Sequence, residues 1–159
     1  MPVNSDEFRA ALSRFPSGIT VVTSRDAADD VHGITVSAFC SVSLNPPLIL
    51  VCIEKTTGSH DAIRDTGVFV VNILAEGQGD ISERFSLPTW DKFNGIEVRA
   101  GLSSVPILTD ALVALECTLR SAFDGGDHTI FVGSVESVSI KEGAPLVYCH
   151  GAYRDLPDP

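Results

Sequence analysis

A succession of short β-branched runs limits what this chain can fold into. Ile19 to Thr23, Ile34 to Ser37, Leu48 to Ile53 and Val68 to Leu74 are each bounded by Gly, Pro, Asn or Asp, the pattern of strands that end in turns. Further on, Val113, Leu115, Cys117 and Leu119 alternate with Ala114, Glu116, Thr118 and Arg120, the period of two expected where one face of a sheet is wet. Phe123 to His128 is rich in turn residues and Thr129 to Ile140 is another long β run, so the strands on either side should pair as a hairpin. A last strand, Leu146 to His150, follows Gly143 and Pro145. Many strands with short connections, few helices and no βαβ alternation predict a mainly β protein built as a closed or partly closed antiparallel barrel.

Helical spacing is rarer. Phe8, Ala11, Leu12 and Phe15 recur at i, i+3, i+4 and i+7 behind an Asn4 and Glu7 cap pair, and Pro16 closes the segment, which predicts one amphipathic helix. Between Gly77 and Asn94 the pattern changes: Asp80 is placed to cap a short helix through Phe85, and Pro88 opens an irregular stretch with Trp90 and Phe93, a lid-like insertion. With 159 residues, 44% of them apolar, the chain has material for one core and not two, so residues 1–159 are expected to form one domain.

Charge and cysteine usage narrow the partners. The net charge is −10 and the eleven cations are scattered, so no cationic patch exists to neutralise a nucleic-acid backbone. No apolar run reaches about eighteen residues, and acidic Asp6 and Glu7 stand where a leader would be basic; the expectation is a soluble, cytoplasmic protein away from membranes. Cys40, Cys52, Cys117 and Cys149 form no C-x-x-C pair and have no histidine at ligand spacing, which predicts reduced, mostly buried thiols and no metal site. G-x-G-x-x-G after a strand, the P-loop, H-E-x-x-H and G-x-S-x-G are all missing, which argues against a Rossmann site, an NTPase, a zincin and an α/β-hydrolase.

Polar residues at strand ends remain. His32, Gly33, Thr35, Ser37 and Ser41 surround an apolar strand and the Asn45-Pro46-Pro47 turn, where a barrel edge can face a ligand; local composition by itself favours ordinary strand and turn residues. Glu54-Lys55-Thr56-Thr57-Gly58-Ser59-His60, ahead of a short helix over Asp61 to Asp65, offers a lysine, hydroxyls and a glycine. That set suits a phosphate; the plainer reading is a solvated loop with a cap. The Gly125-Gly126-Asp127-His128 turn is equally open.

The order of these segments resembles the short-chain flavin reductases with the FMN-binding split-barrel fold. The matching residues are Pro16-Ser17-Gly18-Ile19-Thr20-Val21-Val22-Thr23, Gly33-Ile34-Thr35-Val36-Ser37-Ala38-Phe39, Ser41-Val42-Ser43-Leu44-Asn45-Pro46-Pro47-Leu48 and Phe69-Val70-Val71-Asn72-Ile73-Leu74. Gly126-Asp127-His128-Thr129-Ile130-Phe131-Val132-Gly133 and Pro145-Leu146-Val147-Tyr148 with Gly151 and Tyr153 complete the set. Each piece is weak alone; their order and spacing over nearly the whole chain carry the resemblance.

The resemblance implies an antiparallel split β-barrel with a few short helices and an NAD(P)H-dependent flavin reductase, which passes hydride from nicotinamide C4 to flavin N5 and supplies reduced FMN or FAD to a separate monooxygenase. It implies that the isoalloxazine lies against Thr35, Val36, Ser37 and Ala38, that the ribityl chain and phosphate meet Cys52, Ile53, Glu54, Lys55 and Ser59, and that Arg84 and Phe85 border the flavin or a dimer partner. His128, Tyr148, Gly151 and Tyr153 become the nicotinamide side, with His128 as the catalytic candidate, orienting the nicotinamide or supplying a proton. Homodimers are the rule in such proteins. The sequence departs from the usual pattern at Thr57-Gly58-Ser59-His60 and at Cys149-His150, which leaves NADH against NADPH open, as it leaves FMN against FAD. The alternatives are a flavin-binding barrel without reductase activity, used in electron transfer or sensing or repurposed in biosynthesis, and an oxidase of the pyridoxamine phosphate type, for which the cations are too scattered.

Overall fold

A computed structural model describes residues 3–156. In chain order the elements are α1 (Ser5–Leu12), β1 (Ser17–Gly18), β2 (Thr20–Arg25), β3 (Val31–Val36), β4 (Phe39–Leu44), β5 (Pro47–Glu54), α2 (Gly58–Thr66) and β6 (Val68–Ile73). They continue with α3 (Gly79–Ser86), β7 (Val98–Ala100), β8 (Pro106–Leu108), β9 (Val113–Gly125), β10 (His128–Ile140), β11 (Val147–Cys149) and β12 (Ala152–Arg154). The main sheet has seven antiparallel strands in the order β3-β2-β6-β9-β10-β5-β4. Its two edges are thus consecutive strands joined only by Ser37 and Ala38. The Ala38 carbonyl accepts from Cys52 N at 3.0 Å, and no ladder pairs β3 with β4 among the described residues. The split of the barrel is this seam.

The rolled sheet encloses Val22, Val36, Val51, Ile53, Phe69, Val71, Cys117 and Phe131, with Ile63 of α2 packed among them. The alternate residues of the same strands face outward and are also covered: Val21 clusters with Leu74, Phe85, Leu108 and Leu146, and Val70 and Ala114 with Val105 and Ile107. Burial on both faces explains why β2 and β6 read as continuous apolar runs instead of alternating ones. Asn72, fully buried on β6, satisfies its amide by donating to Val21 O at 3.0 Å and Thr23 Oγ1 at 3.2 Å and accepting from Leu108 N at 2.9 Å, so it ties β8 to the barrel wall.

Several expectations need correction. The capping box of Asn4 and Glu7 forms, but no residue of α1 is buried, and Phe8, Leu12 and Phe15 are 54%, 56% and 77% exposed; the apolar stripe finds no partner among the described residues. α2 starts at Gly58, three residues before the predicted Asp61, because Thr57 is the cap and accepts from His60 N. α3 starts at Gly79 with Gln78 in the N-cap position, where it makes no side-chain cap hydrogen bond, so Asp80 is not the cap. Only Cys117 is buried, while Cys40 is exposed; burial pushes the Cys117 thiol up to about 12, which makes it inert. β4 lacks a β-branched run beyond Val42 and escaped the strand pattern. The last strand splits into β11 and β12 because His150 and Gly151 take positive φ of 54° and 74°, the signature of a tight hairpin turn.

Candidate functional site

Two cavities meet along the free edge of β3. The larger, about 790 Å³, is lined by Asp30 to Ile34, by Glu54 and Thr56 to Ser59 leading into α2, and by Ser86 to Trp90 with Lys92 and Phe93. The smaller, about 600 Å³, is lined by Ile19, Thr35, Ser37, Ser82, Glu83, Ser86, Tyr148 and Gly151 to Tyr153. Ser86 borders both. Either volume falls within the range of about 300–1,000 Å³ usual for small-molecule sites.

The edge strand supplies backbone groups. Gly33 O accepts from Lys92 Nζ at 3.1 Å, so the backbone groups of Gly33 point away from β2. By the alternation of an antiparallel ladder, Val31 and Thr35 present theirs in the same direction. A β-carbon at Gly33 would stand 2.5 Å from Phe85 Cε1 and 3.1 Å from Phe93 Cζ; the glycine lets these rings close the outer wall behind the strand. Phe85 and Phe93 stack edge to face at 5.0 Å. The Thr35 hydroxyl donates to Ser82 O at 2.6 Å and fastens α3 to the same strand.

The expected cofactor residues separate by strand alternation. Thr35 and Ser37 face the smaller cavity, and Glu54 and Ser59 face the larger. Val36, Ile53 and Phe85 are buried core residues: Val36 and Ile53 are inward members of β3 and β5, whose side chains point to the face opposite their strand neighbours, and Phe85 lies on the buried face of α3. Ala38 sits at the seam and Cys52 is half-buried beside it. Lys55 is held in the hairpin turn, donating to Asp124 Oδ1 at 2.5 Å and Gly126 O at 2.6 Å, and lines neither cavity. Arg84 donates to Asn94 O at 2.8 Å and bridges the ends of the strap after α3.

Among the expected nicotinamide residues, Tyr148, Gly151 and Tyr153 come together in the smaller cavity, where the two tyrosine rings stack edge to face at 5.5 Å. His128 lies in neither cavity. It stands opposite Glu54 in the β5 to β10 register, at the rim of the larger one, with Nδ1 at 2.7 Å from Asp127 Oδ1. That hydrogen bond holds the Asp127 carboxyl below the usual carboxylate range.

Sequence reasoning missed the weight of Lys92 and of the His32 and Asp26 pair. His32 Nε2 lies 2.8 Å from Asp26 Oδ2, which lowers the Asp26 pKa, helped by the Asp30 amide. The His32 ring stands 2.8 Å from where a Gly58 β-carbon would be, so that glycine lets the ring rest on the first turn of α2. His60 is a wall residue: 7% exposed, with Nε2 at 2.9 Å from Thr129 Oγ1 and its ring against Phe131 at 5.3 Å. No group of three metal-binding side chains occurs among the described residues.

The family model described as "Flavin reductase like domain" matches residues 12–157. The chain belongs to this family. At 40% identity over 97% of its length it is similar to the flavin-dependent monooxygenase reductase subunit HsaB of Rhodococcus jostii, of which it covers 79%. It is also 38% identical, over 98% of its length and 89% of the relative, to a Streptomyces coelicolor protein named actinorhodin polyketide dimerase. A probable flavin reductase of Rhizobium meliloti is 37% identical over 91% of this chain, which spans only 47% of that relative's length. Among solved structures, the NADH:FAD oxidoreductase SgcE6 of Streptomyces globisporus, in complex with NAD and FAD fragments, superimposes with a TM-score of 0.91 at 31% identity, covering 99% of this chain and 98% of that one. The mostly antiparallel barrel is therefore the fold of this flavin reductase family member.

Proposed function

We infer that this chain is an NAD(P)H:flavin oxidoreductase that supplies reduced flavin to a separate monooxygenase. The observation that carries the reading is the unpaired edge of β3, with its backbone groups directed outward and a cavity at each end of it, in a chain of the flavin reductase family. The residues fit a flavin: the Gly33 to Thr35 backbone and the Thr35 and Ser37 hydroxyls suit the polar edge of the ring system, and Thr56, Thr57 and Ser59 at the start of α2 suit the phosphate end. A bound flavin supplies an electron sink, N5, that accepts hydride from nicotinamide C4.

The chain's own residues position and shield. Tyr148 and Tyr153 form the apolar side on which a nicotinamide packs, and Gly151 lets backbone approach it. Backbone N–H groups at the β3 edge stabilise negative charge that develops beside them, at no cost of reorganisation. Leu87, Pro88 and Trp90 line the strap side of the larger cavity. His128, oriented by Asp127 at the rim, holds the nicotinamide or delivers a proton. A homodimer fits the uncovered stripe of α1 and the exposed Trp90, and a cytoplasmic location suits a protein in which no described helix is long and apolar enough to cross a membrane.

The test is oxidation of NADH and NADPH by the purified protein with FMN, FAD or riboflavin added in turn, followed by loss of the reduced nicotinamide absorbance. Flavin-dependent turnover is the expected result, and the ranking of the pairs assigns both substrates. Flavin binding without turnover would replace the reductase by the second reading, a barrel repurposed in biosynthesis, which the relative named for polyketide dimerisation favours.

A further inference from the structure

The larger cavity is poor in positive charge. Its charged lining consists of Asp30, Glu54, Lys92 and, when protonated, His32. The chain has three lysines: Lys55 pairs with Asp124 and Lys141 with Asp110, but Lys92 has no carboxylate partner among the described residues. Its ammonium is instead held by two backbone carbonyls, donating to Phe85 O at 3.0 Å and Gly33 O at 3.1 Å. An ammonium has three N–H donors, so one remains. Burial pushes the Lys92 pKa below its ordinary value, as expected for a cation removed from water without an anion.

A charge kept in this position has a use only if something negative comes to it. Two neutral carbonyls fix the ammonium between the edge of β3 and the end of α3, and the two acids of the lining lie beyond pairing distance of it. Were Lys92 only a strut for the strap, a neutral donor would serve without the desolvation penalty.

We propose that Lys92 is a flavin-binding residue whose ammonium, anchored on the Gly33 and Phe85 carbonyls, reads the negative charge of the flavin that enters the larger cavity. The inference rests on the flavin reductase reading. That charge has two sources, the phosphate of FMN or FAD and the ring of the reduced flavin, which loses a proton at neutral pH. The same ammonium answers either by a charge-assisted hydrogen bond.

The experiment measures equilibrium binding of riboflavin and of FMN, each oxidised and each reduced under anaerobic conditions, to the wild-type protein, to Lys92→Met and to Lys92→Arg. Methionine keeps the apolar stem and removes the charge. Oxidised riboflavin carries neither source of charge, so Lys92→Met should bind it within about twofold of wild type. A loss of about tenfold or more, the usual size for a hydrogen bond to a charged group, is expected for FMN in both redox states if the phosphate is read, or for both reduced flavins if the ring is read. Lys92→Arg, which keeps the charge, should recover part of the loss. The proposal is overturned if Lys92→Met binds all four ligands like wild type, or if it loses oxidised riboflavin as much as the charged forms, which makes the lysine a strut. Failure of the wild-type protein to bind any flavin would instead overturn the flavin reductase reading itself.

Discussion

Replacing Gly33 by alanine tests whether the β3 edge is a fitted wall of the site. The added methyl would meet Phe85 Cε1 at 2.5 Å, Phe85 Cδ1 at 2.7 Å and Phe93 Cζ at 3.1 Å, and Phe85 is fully buried. Inserting a methyl into such packing costs about 1–3 kcal/mol. For a chain of this size each kcal/mol lowers Tm by about 2–4 °C, so the expected drop is about 2–12 °C. The strap bearing Phe93 and Lys92 shifts with the rings, so flavin affinity should fall as well. Scanning fluorimetry and a flavin titration read both effects. In a Phe85→Leu background, where the offending ring is gone, the same substitution should cost clearly less, a coupling expected of residues in contact. Gly18, with nothing within 4 Å of its ideal β-carbon, is the control, and Gly18→Ala should stay within about 0.5 kcal/mol of wild type. Equal melting temperatures for Gly33→Ala and wild type, together with unchanged flavin binding, would refute this account of the wall.

Further outcomes follow from single contacts. His128→Asn should raise the KM for the pyridine nucleotide by about tenfold or more while leaving flavin affinity within about twofold, because His128 stands at the rim and outside both cavities; steady-state kinetics beside a flavin titration separate the two. Ser59→Ala should weaken flavin binding by roughly fivefold, the worth of about one hydrogen bond, with little change in Tm. Affinity for the flavin forms that Lys92→Met weakens should decline as pH rises through the lowered pKa of Lys92, since the ammonium deprotonates earlier than an ordinary lysine, and Lys92→Met should abolish that slope. The Asp26 carboxyl is held below its usual 3.8 by the His32 hydrogen bond, so its stabilisation is fully present above that value and lost as pH falls through the folded pKa. The melting temperatures of wild type and Asp26→Asn should therefore converge in acid.

Sequence periodicity gave the strands because β-branched runs bounded by turn residues have few other uses, and β2, β3, β5, β6, β9 and β10 fall where those runs stand. It could not see β4, whose Cys40, Ser41 and Ser43 carry no strand preference of their own and which is held by pairing with β5. The helical stripe of α1 was legible as a pattern, but a pattern does not say whether a partner exists. Motif order named Thr35, Ser37, Tyr148, Gly151 and Tyr153 as site candidates, and they line the smaller cavity together. Val36 entered through one of those motifs, which include the inward members of a strand along with the outward ones, while Ile53 and Phe85 came with the segments the resemblance sets beside the flavin. Lys55 was drawn away by Asp124, a residue 69 positions on, and Lys92 was hidden because its partners are backbone carbonyls, which leave no trace in a sequence.

The dipeptide seam has a mechanical consequence. A barrel bonded all round resists dilation, because widening it breaks a ladder bond at nearly every step. Here the two margins share a covalent hinge at Ser37 and Ala38 and no ladder, so they can spread with the other interstrand bonds intact. The least-bonded part of the wall thus runs beside the β3 edge, the same edge along which both cavities lie.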